Sequence, residues 1–277
     1  MTPTTQQENS STRDEQHDFW WHLDELRGVL LKIVIAVVAC AAVAFCFKEE
    51  VFSIVLAPKE ADFATYRFLS DLCLRFGLPP VDSFEVNLIN TGLAQQFIVH
   101  MKTALCVGLL CVSPFIIYQI FSFVAPGLYS SERRIALRVV WSGYFMFILG
   151  VLLDYFLIFP LTFRFLGTYQ VASDVTNLIS LDSYMSTLII MSLWLGVMFE
   201  LPVIAWILAK TGILRHSMLR DYRQHAIVII LIIAAIITPT SDVVTLLLVS
   251  LPIYILYEIS ILIVRQTEKH SGLSSSE

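Results

Sequence analysis

The sequence predicts an all-α polytopic membrane protein. Six transmembrane helices form a curved bundle, with N- and C-termini cytoplasmic and a helical outer cap. Three observations predict this. Of 277 residues, 57% are hydrophobic and 15% charged, with a mean hydropathy of +0.74; a soluble domain carries about 45–50% apolar and about 25% charged residues. The apolar residues gather into runs of roughly 20, the length that crosses a roughly 30 Å hydrocarbon core at 1.5 Å per residue. When those runs are threaded through a membrane, twelve of the 18 Lys and Arg fall on one side, clustered at the ends of the runs. That side is the cytoplasmic one.

Residues 1–18 are polar and mixed in charge, and a flexible cytoplasmic tail is expected there. They lack the basic start and cleavage site of a secretory signal and the Arg-rich, acid-poor character of a transit peptide. The first apolar run, 28–47, is therefore read as a span, with Lys32 snorkelling near its start. The outer segment 48–102 is long for a bundle loop. Within it Phe63, Tyr66, Leu69, Leu72, Cys73 and Phe76 recur at near-helical spacing, with Asp62, Arg67, Asp71 and Arg75 between them. That pattern predicts an amphipathic helix lying on the membrane surface or capping the bundle, ended by Leu78-Pro79-Pro80.

Spans two, three and four are expected at 103–124, 135–159 and 183–209. The last apolar stretch is broken by Thr238-Pro239-Thr240-Ser241-Asp242, giving spans five and six at 222–238 and 243–264 and a second tail at 266–277. Span five is short. Its apolar part, 226–237, covers about 18 Å at 1.5 Å per residue, so either the bilayer thins or the helix starts near Tyr222 with snorkelling flanks.

Several function classes are excluded. A net charge of −5 gives no bulk attraction to nucleic acid. Of five cysteines, Cys40, Cys46, Cys106 and Cys111 lie in apolar runs and Cys73 in the outer segment, which is no disulfide framework. No HExxH, GxSxG or metal-spaced His/Cys set is present, and the six histidines are dispersed. Neither an enzyme nor a cofactor is expected.

Three features stand out as candidates for function: His22-Leu23-Asp24-Glu25-Leu26-Arg27 before span one, the loop from Phe123 to Arg134, and Glu200 within span four. Asp24, Glu25 and Glu132 place carboxylates at a boundary where positive residues are favoured. Partly desolvated carboxylates pair well with guanidinium groups, so two on adjacent loops suit a ligand with two neighbouring arginines. Local pairing is the other reading: Glu25 with Arg27 or Lys32, and Glu132 with Arg133 or Arg134. Charge alone leaves both open. Glu200 is an ionisable group at mid-bilayer, by default a functional site. Asp154 and Glu258 are expected nearer the outer and inner ends of their spans, within reach of water.

His-Leu-x-Glu-Leu-Arg before span one, followed by Phe-x-Ala-Pro-Gly-Leu-x-x-x-Glu-Arg-Arg between spans two and three, resembles the TatC family, the multi-spanning receptor subunit of the twin-arginine protein translocase. Ala57-Pro58, Ser113-Pro114, Phe159-Pro160, Phe199-Glu200-x-Pro202 and Thr238-Pro239 continue the resemblance in order to about Glu258. It implies that paired-arginine signal peptides bind at Glu25 and Glu132, supported by Arg27 and Phe123, then Arg133 and Arg134, with His22 included by position. It also implies single-span TatA and TatB partners, copies of the same chain in one receptor complex, contact with membrane lipids, and transport of folded proteins driven by the proton gradient. Glu200 becomes a polar contact for a partner helix on a membrane-facing surface, with Asp242 as a further candidate. Two departures stand out: Thr238-Pro239-Thr240-Ser241-Asp242 replaces the family's usual Thr-Pro-Pro-Asp, and the first outer segment is longer. A proton-coupled small-solute transporter using Glu200, Asp154 and Glu258 as a relay is the alternative, but neither repeats nor a midplane polar cluster is evident.

Overall fold

Inside a bilayer no water reaches the backbone, so apolar runs close their own hydrogen bonds as helices. A computed structural model describes residues 4–77, 86–124, 133–170, 172, 177–238 and 242–271; for 4–23, 124, 133–138 and 270–271 the backbone alone is described. In chain order the elements are α1 (Thr4–Cys46), α2 (Lys48–Leu56), a 3₁₀ turn (Ala57–Lys59), α3 (Ala64–Arg75) and β1 (Leu88–Ile89), then α4 (Gln95–Val124) and α5 (Arg133–Leu153). A π turn (Asp154–Ile158) leads into α6 (Phe159–Thr168) and β2 (Ile179–Ser180). They are followed by α7 (Leu181–Met198), α8 (Leu201–Lys210), α9 (His216–Asp221), α10 (Arg223–Ile237) and α11 (Val243–Ser271).

Among the described residues, five helical stretches are long and apolar enough to cross a membrane: Asp24–Cys46, Gln95–Phe123, Val139–Thr168, Leu181–Lys210 and Val243–Lys269. The apolar helix Arg223–Ile237 is shorter, about 22 Å at 1.5 Å per residue. It starts next to Tyr222, and Arg223 at its head donates to Glu258 of α11 at 2.6 Å. Helix α1 runs back through most of the polar 1–18 segment, and α11 runs past residue 264 to Ser271.

Two spans differ from the simple runs read from sequence. The third does not end at Phe159-Pro160. It widens into the π turn at Asp154–Ile158 and continues through Pro160 to Thr168. Proline has no N–H for the carbonyl four residues back, which here is Phe156. Thr65 of α3 supplies the missing donor through its hydroxyl. The fourth span is two helices, α7 and α8, meeting at a turn over Phe199 and Glu200, with Pro202 in the first turn of α8, where its missing N–H costs nothing.

The amphipathic helix expected over Asp62–Phe76 is α3, with Thr65 and Tyr66 on its buried face. It ends at Gly77, whose φ of 68° suits glycine; Leu78-Pro79-Pro80 lies outside the described residues. Hydroxyls hang the cap on the spans. Tyr66 shares its proton between the carbonyls of Pro58 (3.1 Å) and Pro160 (2.9 Å), Tyr155 donates to Ile54 and Tyr184 to Val55. Burial pushes the Tyr66 phenol well above its ordinary pKa, so it stays a donor. A two-residue parallel pairing, Leu88 with Ile179 and Ile89 with Ser180, ties the outer segment to the loop before α7. Beneath the cap lies the core, where Phe159 and Phe163 each pack edge-on against Tyr184 at 5.0 Å, alongside Met185, Met191 and Leu195.

Tyr66→Phe removes the donor for two carbonyls, and a buried acceptor left unpaired costs about 1–3 kcal/mol. Thermal unfolding of the full chain in detergent is expected to show a lower midpoint for Tyr66→Phe and no change for Tyr169→Phe, whose ring is 62% exposed.

Candidate functional site

The first candidate surface is set by the packing of α1 on α4. His100 stacks on Phe45 at 3.9 Å. Further along, a Cβ on Gly108 would come within 2.7 Å of the Ala41 nitrogen and 2.9 Å of the Val37 carbonyl. The two helices are therefore antiparallel and, at Gly108, nearly in backbone contact. Followed in opposite directions from that crossing, α1 reaches Glu25 as α4 reaches Phe123, so these residues sit at the same end of the pair, away from the cap. Glu25 is half-buried with one carboxylate oxygen shielded from solvent, Phe123 is half-buried, and Arg27 is exposed. Such a carboxylate, at the edge of the apolar zone, is placed to receive a guanidinium with little competition from water. Glu132 lies outside the described residues. His22 on α1 and Arg133 and Arg134 at the start of α5 are described by their backbone only.

Glu200 occupies the turn between α7 and α8. About 15 Å of helix separates it from Lys210 at the end of α8, at 1.5 Å per residue, roughly half of a hydrocarbon core. Its carboxylate lies against α5 and α4: a Cβ on Gly143 would stand 3.0 Å from Oε2, 3.4 Å from Oε1 and 3.3 Å from an Ile117 methyl. Glycine at 143 leaves the space that the carboxylate fills. Oε1 is buried with no hydrogen-bond partner among the described residues. A buried acceptor without a donor is costly. Ile117 precedes Phe123 by six residues, so Glu200 lies only about 9 Å along α4 from the level of Glu25, at 1.5 Å per residue. Asp242 acts locally, accepting the Thr245 N–H at 2.7 Å and so capping α11.

The remaining acids are used structurally. Asp154, expected within reach of water, is instead fully buried at the head of the π turn. Its Oδ2 accepts from Ser192 Oγ at 2.6 Å, and Oδ1 has no partner among the described residues. The widened turn carries this position inward against α7, which sequence periodicity does not show. Glu258 pairs with Arg223 and accepts from Tyr254 at 3.1 Å. Asp154 and Glu258 are thus engaged with different partners, and among the described residues no hydrogen bond links either of them to Glu200.

Residues missed from sequence are the glycines that make these approaches possible. A Cβ on Gly150 would meet the Leu195 carbonyl at 2.8 Å, and one on Gly196 the Phe147 ring at 2.7 Å. Gly143 and Gly150 stand seven apart on α5, hence on one face; that spacing is the signal a sequence reading can look for. Gly143→Val is expected to push the Glu200 carboxylate from its slot towards lipid. Its modification by a hydrophobic carbodiimide should then run several-fold faster, with no change for Gly28→Val, where a Cβ meets nothing within 4 Å.

Residues 21–252 match the family model for the Sec-independent protein translocase protein TatC. The chain is 35% identical over 244 residues to the Sec-independent protein translocase protein TatC of Deinococcus radiodurans, covering 88% of this chain and 84% of that one. It is 32% identical over 253 residues to the protein of the same name from Carboxydothermus hydrogenoformans, covering 91% and 94%. Its fold is similar to a crystal structure of the twin-arginine translocase receptor TatC, with a TM-score of 0.71 at 32% identity over 89% of this chain and 99% of that one.

Proposed function

Because the chain belongs to the TatC family of Sec-independent protein translocase components, we propose that it is the receptor that binds twin-arginine signal peptides in its own translocase. In this reading Glu25 and Glu132 each take one guanidinium of the arginine pair, Phe123 gives the peptide an apolar floor, and Arg27, Arg133, Arg134 and His22 complete the rim. The observation that carries it is the antiparallel α1–α4 pairing, which brings a half-buried carboxylate and a half-buried phenylalanine to the same end of the helix pair. That end is the cytoplasmic one in this reading, because the excess of Lys and Arg lies there. The chain then crosses the inner membrane six times, with both termini inside and 48–102 as an outer cap.

Single-span partners of the TatA and TatB type complete the machine, together with further copies of this chain, and the proton gradient drives the passage of folded proteins. Glu200 supports this reading, since a buried acceptor without a donor at mid-bilayer favours a helix that carries a polar group at the same depth. Asp242 serves that surface by holding the start of α11 in place. A family of translocase components, not of enzymes, fits a chain whose candidate residues bind and orient rather than react.

Each charge-assisted pair between carboxylate and guanidinium contributes about 1.5–3 kcal/mol, a roughly 10- to 150-fold change in affinity. Glu25→Ala and Glu132→Ala are each expected to weaken crosslinking of a twin-arginine peptide by at least tenfold and to fail in complementing a strain that lacks the translocase, while still inserting in the membrane. Normal export of twin-arginine substrates by both variants would overturn the reading.

A further inference from the structure

Helices α4 and α7 leave an open slot of about 280 Å³ between them. Its walls are Leu105, Cys106 and Leu109 of α4 and Ile189, Ile190 and Leu193 of α7, each set on one face of its helix at the i, i+1, i+4 spacing. The slot opens sideways: Leu105 is 51% and Ile190 45% exposed on the surface that faces the bilayer. One end is polar. There, towards the cap, Lys102 Nζ donates to Asp182 Oδ1 at 2.8 Å and to Ser186 Oγ at 3.4 Å. An ammonium carries three N–H groups, so the third is available to a further acceptor at the mouth, where Lys102 is 44% exposed.

We propose that this slot seats one acyl chain of a glycerophospholipid from the cap-side leaflet, with the phosphate or ester oxygens of its head accepting the third N–H of Lys102. The occupant must be apolar along about one and a half helical turns, carry an acceptor at one end, and enter from the bilayer; a membrane phospholipid has all three properties. A partner's transmembrane helix laid on the same two faces is the competing occupant; it would bring its own backbone and side chains to Lys102 but no phosphate, and the crosslinks below separate the two. Charge and depth agree as well. Lys102 lies two turns into α4 and Asp182 in the first turn of α7, near the ends of both helices, at the depth where lipid heads sit beside spanning segments. A lipid held here fills the cap-side part of the α4–α7 seam without touching the residues assigned to peptide recognition, so its test is independent of that assignment.

The test uses the full chain in nanodiscs of phosphatidylethanolamine and phosphatidylglycerol that include a phosphatidylglycerol with a diazirine on one acyl chain. After illumination and digestion, adducts are expected to be at least fivefold enriched on 105–109 and 189–193 relative to the stretch 30–38 of α1, which is more exposed. Ile189→Trp fills the slot while leaving the Lys102–Asp182 pair intact, and should return adducts to the level of α1; Leu193→Phe serves the same purpose if the first variant folds poorly. Lys102→Gln is expected to lower the adducts several-fold by removing the donor at the mouth. Adducts spread evenly over the lipid-facing helices, or enrichment unaffected by both slot-filling variants, would overturn the proposal. So would crosslinks in native membranes that place a partner's helix, and no lipid, at Cys106.

Discussion

A polar backbone group released inside a bilayer has no water to turn to, and the fold is organised around that constraint. At Pro114 and Pro160 the proline releases a carbonyl, and a hydroxyl recovers it. Pro114 withdraws the N–H that Leu110 would receive, and Ser113 donates to Leu110 at 2.7 Å instead. Pro160 does the same to Phe156, and the replacement comes from Thr65 on a different element. The end of α10 is closed differently: the Ala234 carbonyl accepts both the N–H (2.9 Å) and the hydroxyl (3.0 Å) of Thr238. At Pro114 the repair is local and the helix continues. At Pro160 the repair is made from the cap, so the cap is bound to the third span by the defect itself.

Close backbone approach sets the geometry of the candidate site. Gly108 lets α1 lie almost backbone to backbone on α4, and that closeness brings Glu25 and Phe123 to one level. Gly143, Gly150 and Gly196 let α5 close on α7 and α8, and that seam holds Glu200 in place. Helix α4 takes part in both contacts. A peptide seated at Phe123 is therefore less than two turns of continuous helix away from Ile117, which, like Glu200, lies against Gly143. In the proposed receptor, recognition at the surface and partner contact within the bilayer share a rigid element, which is the physical basis on which they can be coupled.

The parts of the fold legible in the sequence are those with a local signal. Runs of apolar residues mark the spans, and the alternation around Phe63, Tyr66 and Phe76 marks α3 to within two residues. The ordered short motifs mark the family. What stays hidden depends on partners distant in sequence. Phe159-Pro160 reads as a helix end because the chain alone offers Phe156 no donor; Thr65, 91 residues earlier, changes the outcome. The break at Glu200 is similarly masked, since an unbroken apolar run from 183 to 209 carries no sign of a turn except Pro202. Gly143 reads as an ordinary small residue until the carboxylate it makes room for is placed against it.

Asp154 and Glu200 show why an acid in a membrane run is not by itself a site. Both face the α5–α7–α8 seam, and neither has a cation beside it among the described residues, whereas Lys102–Asp182 and Arg223–Glu258 are ion pairs near the two ends of the bundle. Their difference lies in access. Asp154 is wholly enclosed, bonded to Ser192 and held by the π turn, so an approaching helix meets its packing shell and not its carboxyl. Glu200 stands at a break between two helices, partly exposed, with its oxygens against Gly143 and Oε1 without a partner among the described residues. A carboxyl enclosed in its packing shell and bonded through one oxygen to a serine stabilises a seam; one at a break between helices is, in the proposed receptor, the one a partner helix can reach. The same chemistry therefore has two roles within one bundle, and the distinction comes from the neighbours each acid was given.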